Sequence, residues 1–135
     1  MIQKDIWKQS AARIMVIDDE SVILDLLECL LTQGGYEVET IDRADAVLDK
    51  LESEEYDLIL LDIKMPGMNG IELYRRIEKS APALARRVVF ITGDVMETTT
   101  RNFLDEASPL YILKPFDNEK LEKEINQMLA KRLVS

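Results

Sequence analysis

A chain of 135 residues, 47% apolar and 32% charged, is sized and composed for one hydrophobic core and is too apolar to stay disordered. Seventeen basic against 26 acidic residues leave a net charge of −9, which argues against a nucleic-acid-binding surface. No apolar run approaches the roughly 20 residues of a membrane helix, and residues 1–9 lack the apolar centre of a secretory leader. The single cysteine, Cys29, excludes an internal disulfide and makes a reducing cytoplasm the expected compartment. With no histidine, the chain has no histidine triad, no histidine metal site and no phosphohistidine of its own.

Residues 1–12 read as a tail or linker, with Trp7 free to pack on a body spanning 13–132. A strand is predicted over 14–17, followed by a helix whose stripe is Val22, Ile23, Leu26, Leu27, Leu30 and Leu31, stopped by Gly34 and Gly35. Cys29, inside that stretch, is expected as an inert core thiol. A second strand over 36–40 leads to a helix on Ala44, Val47, Leu48 and Leu51. The third strand, 58–61, precedes a helix on Ile71, Tyr74 and Ile77. The fourth, 88–91, precedes a more polar helix over 95–107. A fifth strand over 110–113 and a helix on Leu121, Ile125, Met128 and Leu129 complete the pattern. All strands but the second are nearly continuous in apolar residues, as strands buried on both faces should be. Five β-α repeats imply an α/β, flavodoxin-like, doubly wound parallel sheet of five strands in the order 2-1-3-4-5, with five helices.

In such a sheet the ligand site lies at the carboxyl ends of the strands. Asp18, Asp19 and Glu20 follow the first strand, Asp62 the third, Thr92 the fourth, and Lys114 and Pro115 the fifth. Carboxylates gathered there repel one another, and a hard divalent cation such as Mg²⁺ resolves the conflict. Lys114 can pair with a phosphoryl oxygen and the Thr92 hydroxyl can donate to another. A carboxylate nucleophile, a metal, a lysine and a hydroxyl make a phosphoryl-transfer site whose product is an aspartyl phosphate. Taken singly, Asp19 or Glu20 reads as a helix cap or first-turn acid, Thr92-Gly93-Asp94 as a turn, and Lys114-Pro115 as a loop. Their coincidence at four neighbouring strand ends favours the site.

The motifs Val16-Ile-Asp-Asp-Glu20, Asp62-Ile-Lys-Met-Pro-Gly67, Ile91-Thr-Gly93 and Leu113-Lys-Pro-Phe116 together resemble those of response-regulator receiver domains, over about 13–131. The resemblance implies Asp62 as the phosphorylated residue, Asp19 as a direct metal ligand and Asp18 as an acid acting through water. It implies the main-chain carbonyl of Lys64 as a further ligand, Thr92 as the switch hydroxyl and Tyr111 as the switch aromatic. Lys114 would hold the phosphoryl group, and its bond to Pro115 would be cis. The donor would be a sensor histidine kinase or a histidine phosphotransfer protein, and the output face the fourth helix, fifth strand and fifth helix. Enzymatic content would be limited to self-phosphorylation and loss of the phosphate, with no nucleic-acid or membrane contact by this domain. Lys64 and Asp94 could pair across the acceptor and slow that loss. The 92–96 stretch and Ser108-Pro109-Leu110 are similar to receivers attached to hybrid sensor kinases. The competing readings are a phosphorylation-independent interaction module and a Mg²⁺-dependent phosphohydrolase; the latter often has a second acid two residues past its nucleophile, where this chain has Lys64.

Overall fold

The computed structural model describes residues 12–65, 69–93, 95–107, 110–114 and 116–134. The expected tail and Trp7, the Lys64–Asp94 pair, the Ser108-Pro109 approach and the geometry at Pro115 therefore lie outside the described residues, in whole or in part. Five parallel strands, β1 (Arg13–Ile17), β2 (Glu37–Ile41), β3 (Leu58–Asp62), β4 (Val88–Thr92) and β5 (Tyr111–Leu113), stand in the order β2-β1-β3-β4-β5. This is the expected doubly wound sheet. Between and after them run α1 (Ser21–Gln33), α2 (Val47–Ser53), α3 (Gly70–Ser80), α4 (Thr98–Ala107) and α5 (Asn118–Val134). A further four-residue helical turn, Pro82–Ala85, brings the α-helical segments among the described residues to six. Its proline sits at the first helical position, where a missing N–H costs nothing. A 3₁₀ segment, Ala44–Ala46, leads into α2.

Period-two alternation along the central strands feeds both sides of the sheet at once. Met15, Ile17, Ile59, Leu61 and Phe90 pack with Val47 and Leu51 of α2, Leu73 and Ile77 of α3, and Phe103 of α4. Ile14, Val16, Leu58, Leu60, Val89 and Ile91 pack with Leu24, Leu27 and Leu31 of α1 and Leu121, Ile125 and Leu129 of α5. The Phe103 ring meets Phe90 and Tyr74 edge to face at 5.1 and 5.8 Å, with the Arg75 guanidinium 5.3 Å from its centroid. Removing a buried ring of this kind costs about 3–5 kcal/mol.

Two expectations need correction. The α1 stripe is rotated: Leu24, Leu27 and Leu31 are buried, while Val22 is 74% exposed and Leu26 and Cys29 also face solvent. Apolar residues cover too wide an arc of α1 for one sheet face to take, and the part centred on Leu27 wins. Cys29 is therefore a surface thiol; its Sγ accepts from Gln33 Nε2 at 3.4 Å. The fifth strand is not buried on both faces either. Only Ile112 is buried; Leu110, Tyr111 and Leu113 are exposed, because β5 is a three-residue edge strand. Among the described residues no helix is long and apolar enough to cross a membrane.

Candidate phosphoacceptor and metal site

The sheet delivers its polar residues to one edge. Asp18 follows β1 directly; its amide donates to Ile41 O at 3.1 Å, tying it to the end of β2. Its Oδ1 accepts the amide of Glu20 at 2.9 Å, a local Asx-type turn that starts α1. Glu20 holds the N-cap position without a side-chain capping bond, so its carboxylate is not used up by the helix. Asp62 closes β3 and Thr92 closes β4, and the chain at Lys114 is pinned by its amide, which donates to Thr92 O at 2.8 Å. Asp18, Asp62 and Thr92 are 0%, 4% and 1% exposed.

Side-chain oxygens of Asp18, Asp19, Glu20 and Asp62 all lie within 4.8 Å of one another. Lys114 Nζ stands 3.1 Å from Asp18 Oδ2, 3.6 Å from Glu20 Oε1 and 3.7 Å from Asp62 Oδ2. Three of the four carboxylates thus share one ammonium. Burial, and then the neighbouring charge of Asp18, raise the Asp62 pKa above the ordinary carboxylate range; Lys114 and the Lys64 amide, which donates to Asp62 Oδ1 at 3.3 Å, oppose that shift. Burial works against the Lys114 charge, but Asp62, Asp18 and Glu20 together outweigh it and raise the ammonium pKa. The buried negative charge is under-compensated, which is the condition a bound cation would relieve.

The donor set fits Mg²⁺. All four groups are hard oxygen ligands, and none lies more than 4.8 Å from another, near the roughly 4 Å across an octahedral ion with bonds of about 2.0–2.1 Å. Of the residues singled out from sequence, the structure brings Asp18, Asp19, Asp62 and Lys114 together, with Thr92 bonded through its carbonyl to the Lys114 amide. Lys64 is exposed beside the acceptor. Tyr111 stands apart, 43% exposed on β5 and in register with Phe90. Glu20 joins the carboxylate cluster although the sequence reading gave it no metal role. Its place directly after Asp18 and Asp19 was the available signal.

Comparison with known proteins agrees with this geometry. The family model described as "Response regulator receiver domain" matches residues 14–126. The response regulator ArlR of Staphylococcus haemolyticus is 35% identical over 121 residues, 88% of this chain and 53% of the relative. The chain therefore spans about half the length of the curated relatives it matches. A CheY-like receiver from Methanospirillum hungatei superposes with a TM-score of 0.80 at 34% identity, covering 91% of this chain and 97% of that one. The response regulator TrrA of Thermotoga maritima, solved in complex with Mg²⁺ and BeF, gives a TM-score of 0.73 at 31% identity over 87% and 98% of the two chains. On a match that runs through nearly every element of the fold, this chain belongs to the response-regulator receiver domain family.

Proposed function

We propose that this chain is the phosphoacceptor of a two-component phosphorelay. In this reading Asp62 takes a phosphoryl group from the phosphohistidine of a sensor histidine kinase or a histidine phosphotransfer protein. A carboxylate oxygen of Asp62 forms the new P–O bond as the donor's N–P bond breaks, and the imidazole leaves with the electron pair and regains a proton from solvent. The observation that carries the reading is the buried Asp62 carboxylate sharing Lys114 Nζ with Asp18, inside a cluster of four acids. Asp18, Asp19, Asp62 and the Lys64 main-chain carbonyl would hold Mg²⁺, which when bound would neutralise charge on the transferring phosphoryl oxygens. Lys114 would pair with a phosphoryl oxygen, so its present contacts with Asp18 and Asp62 keep it at the point of use. As a member of a family of signalling modules, the chain would act on itself only, in the cytoplasm. The receiver body would span 13–132, with 1–12 as a tail or linker.

Phosphorylation takes Asp62 from −1 to roughly −2 and adds acceptor oxygens. The Thr92 hydroxyl would turn to meet them, and Tyr111, now at the surface, would move inward beside it. This would change the face built from α4, β5 and α5. The contrast between a buried Thr92 and an exposed Tyr111 supports this as the resting arrangement.

The test is intact-mass spectrometry after incubation with acetyl phosphate. A single adduct of about 80 Da is expected with Mg²⁺ present, on a carboxylate nucleophile, and none after chelation or in Asp62→Asn. An adduct that survives in Asp62→Asn would sink the assignment. The lifetime of the adduct is expected to shorten in Lys64→Ala; an unchanged lifetime would remove Lys64 as a shield of the acceptor.

A further inference from the structure

The return of the chain from Asp62 into α3 leaves no room for a side chain at position 70. A Cβ there would stand 2.1 Å from the Asp62 carbonyl oxygen, 2.8 Å from Ile63 Cα and 3.0 Å from the Asp62 carbonyl carbon. All three atoms are backbone of the acceptor and its neighbour, so no side chain can swing aside. The Gly70 amide also donates to Ile63 O at 2.7 Å, tying the start of α3 to the end of β3. Neither wall is free to retreat. Asp62 is in register with Ile91, and the Ile63 amide donates to Ile91 O at 3.2 Å. Behind Gly70, α3 is held by Leu73 and Ile77, both fully buried.

We propose that Gly70 is a positioning residue for the acceptor: its bare Cα lets the first turn of α3 close on the Asp62 backbone, and so sets where the Asp62 carboxylate and the Lys64 carbonyl stand. The inference rests on the reading of Asp62 as acceptor and Lys64 O as a metal ligand. Carbon atoms pack no closer than about 3.5 Å, so any side chain at 70 forces a displacement on the order of 1 Å between α3 and the acceptor. Displacements of that size in a reacting group can cost about 100-fold. Asp62, at the end of β3, and Lys64 just beyond it must absorb that displacement, whereas the apolar core of the sheet does not.

The experiment compares the native chain with Gly70→Ala and Asn69→Ala in two measurements: Mg²⁺ affinity by calorimetry and the rate of adduct formation from acetyl phosphate. Asn69 caps α3, its side chain accepting the Glu72 amide at 2.9 Å, so Asn69→Ala loosens the helix start without adding a Cβ at 70. Expected is a loss of at least 10-fold in both measurements for Gly70→Ala, while Asn69→Ala lowers the melting temperature but leaves Mg²⁺ affinity within twofold. Gly70→Ala within twofold of native in both measurements overturns the inference. So does an equal loss in Asn69→Ala, since the effect would then follow helix stability. If Gly70→Ala is unfolded in buffer, the titration is run in trimethylamine N-oxide, which favours the compact state; failure to fold even there overturns the inference by making the glycine a requirement of the fold. A native chain that binds no Mg²⁺ and forms no adduct overturns the acceptor reading, and this one with it.

Discussion

Both ends of the sheet carry acidic clusters, yet they are built on opposite plans. At the amino end, Arg13 meets Glu37 at 3.4 Å and Glu54 at 3.0 Å, with its guanidinium 4.8 Å from the centroid of the Tyr56 ring. Lys50 meets Glu39 at 2.7 Å, and the buried Tyr56 hydroxyl donates to the same Glu39 carboxylate. Each acid there pairs with Arg13 or Lys50, and the Glu39 pKa is lowered, first by its bond to Lys50 and then by Tyr56. At the carboxyl end three of four clustered acids share Lys114, and the pKa of Asp62 moves the other way. A satisfied acidic cluster is structural; a buried, under-compensated one stores unfavourable energy that a ligand can release. Count and sign of charge alone would not separate them.

Three experiments sharpen that contrast. The largest expected effect is the response to metal. Mg²⁺ at about 100 times its dissociation constant should stabilise the native chain by about 2.7 kcal/mol in thermal melts, and Asp62→Asn should lose most of that gain. A Mg²⁺ response unchanged by the substitution would place the ion elsewhere.

Next in size is the effect of removing one carboxylate in chelator. Asp62→Asn should raise stability by roughly 1 kcal/mol, because it relieves like charge held in a buried place. Glu39→Gln should lower it by roughly the same amount, because it strands Lys50 and Tyr56. Denaturant melts that show the same sign for both would erase the distinction between the two ends. Tyr56→Phe should cost about 1 kcal/mol or less, the worth of a hydroxyl shared between Glu39 and Glu54.

The smallest effect is the pH slope. Asp62 has a raised folded pKa, so its share of stability without metal falls as pH rises from the ordinary carboxylate range (about 4) toward neutrality. Glu39 has a lowered one, so its share is present above about 4.5 and is lost as pH falls below that. Asp62→Asn should therefore remove a fall in stability between about pH 4 and neutrality, and Glu39→Gln a fall below about pH 4.5. Slopes lost in the same window by both variants would count against the opposed shifts.

The sequence made the sheet legible where burial leaves one choice of residue. Strands β1, β3 and β4 are buried on both faces and read as unbroken apolar runs. Their order then placed Asp18, Asp62 and Lys114 on one edge before any contact was known. Legibility failed where apolar residues outnumber the places that can take them. α1 offers Val22, Leu26 and Cys29 as well as Leu24, Leu27 and Leu31, and only packing against the sheet decides between the sets. β5 misled for the converse reason: Leu110, Tyr111 and Leu113 look like core, but among the described residues no strand pairs with its outer side, and all three are exposed. Gly70 was invisible because its role depends on the distance between two backbone segments, which no periodicity reports.

The brevity of β5 also bears on how the chain behaves when crowded. An open sheet edge is a template for a stray strand, and apolar side chains such as Tyr111 and Leu113 would make this one adhesive. With three residues in the strand, a visiting chain finds too few amides to form a lasting ladder. At the opposite edge, β2 is longer and carries the charges of Glu37 and Glu39 instead. One edge is guarded by shortness and the other by charge, so extending β5 by two or three β-branched residues is the change that would invite the domain to polymerise.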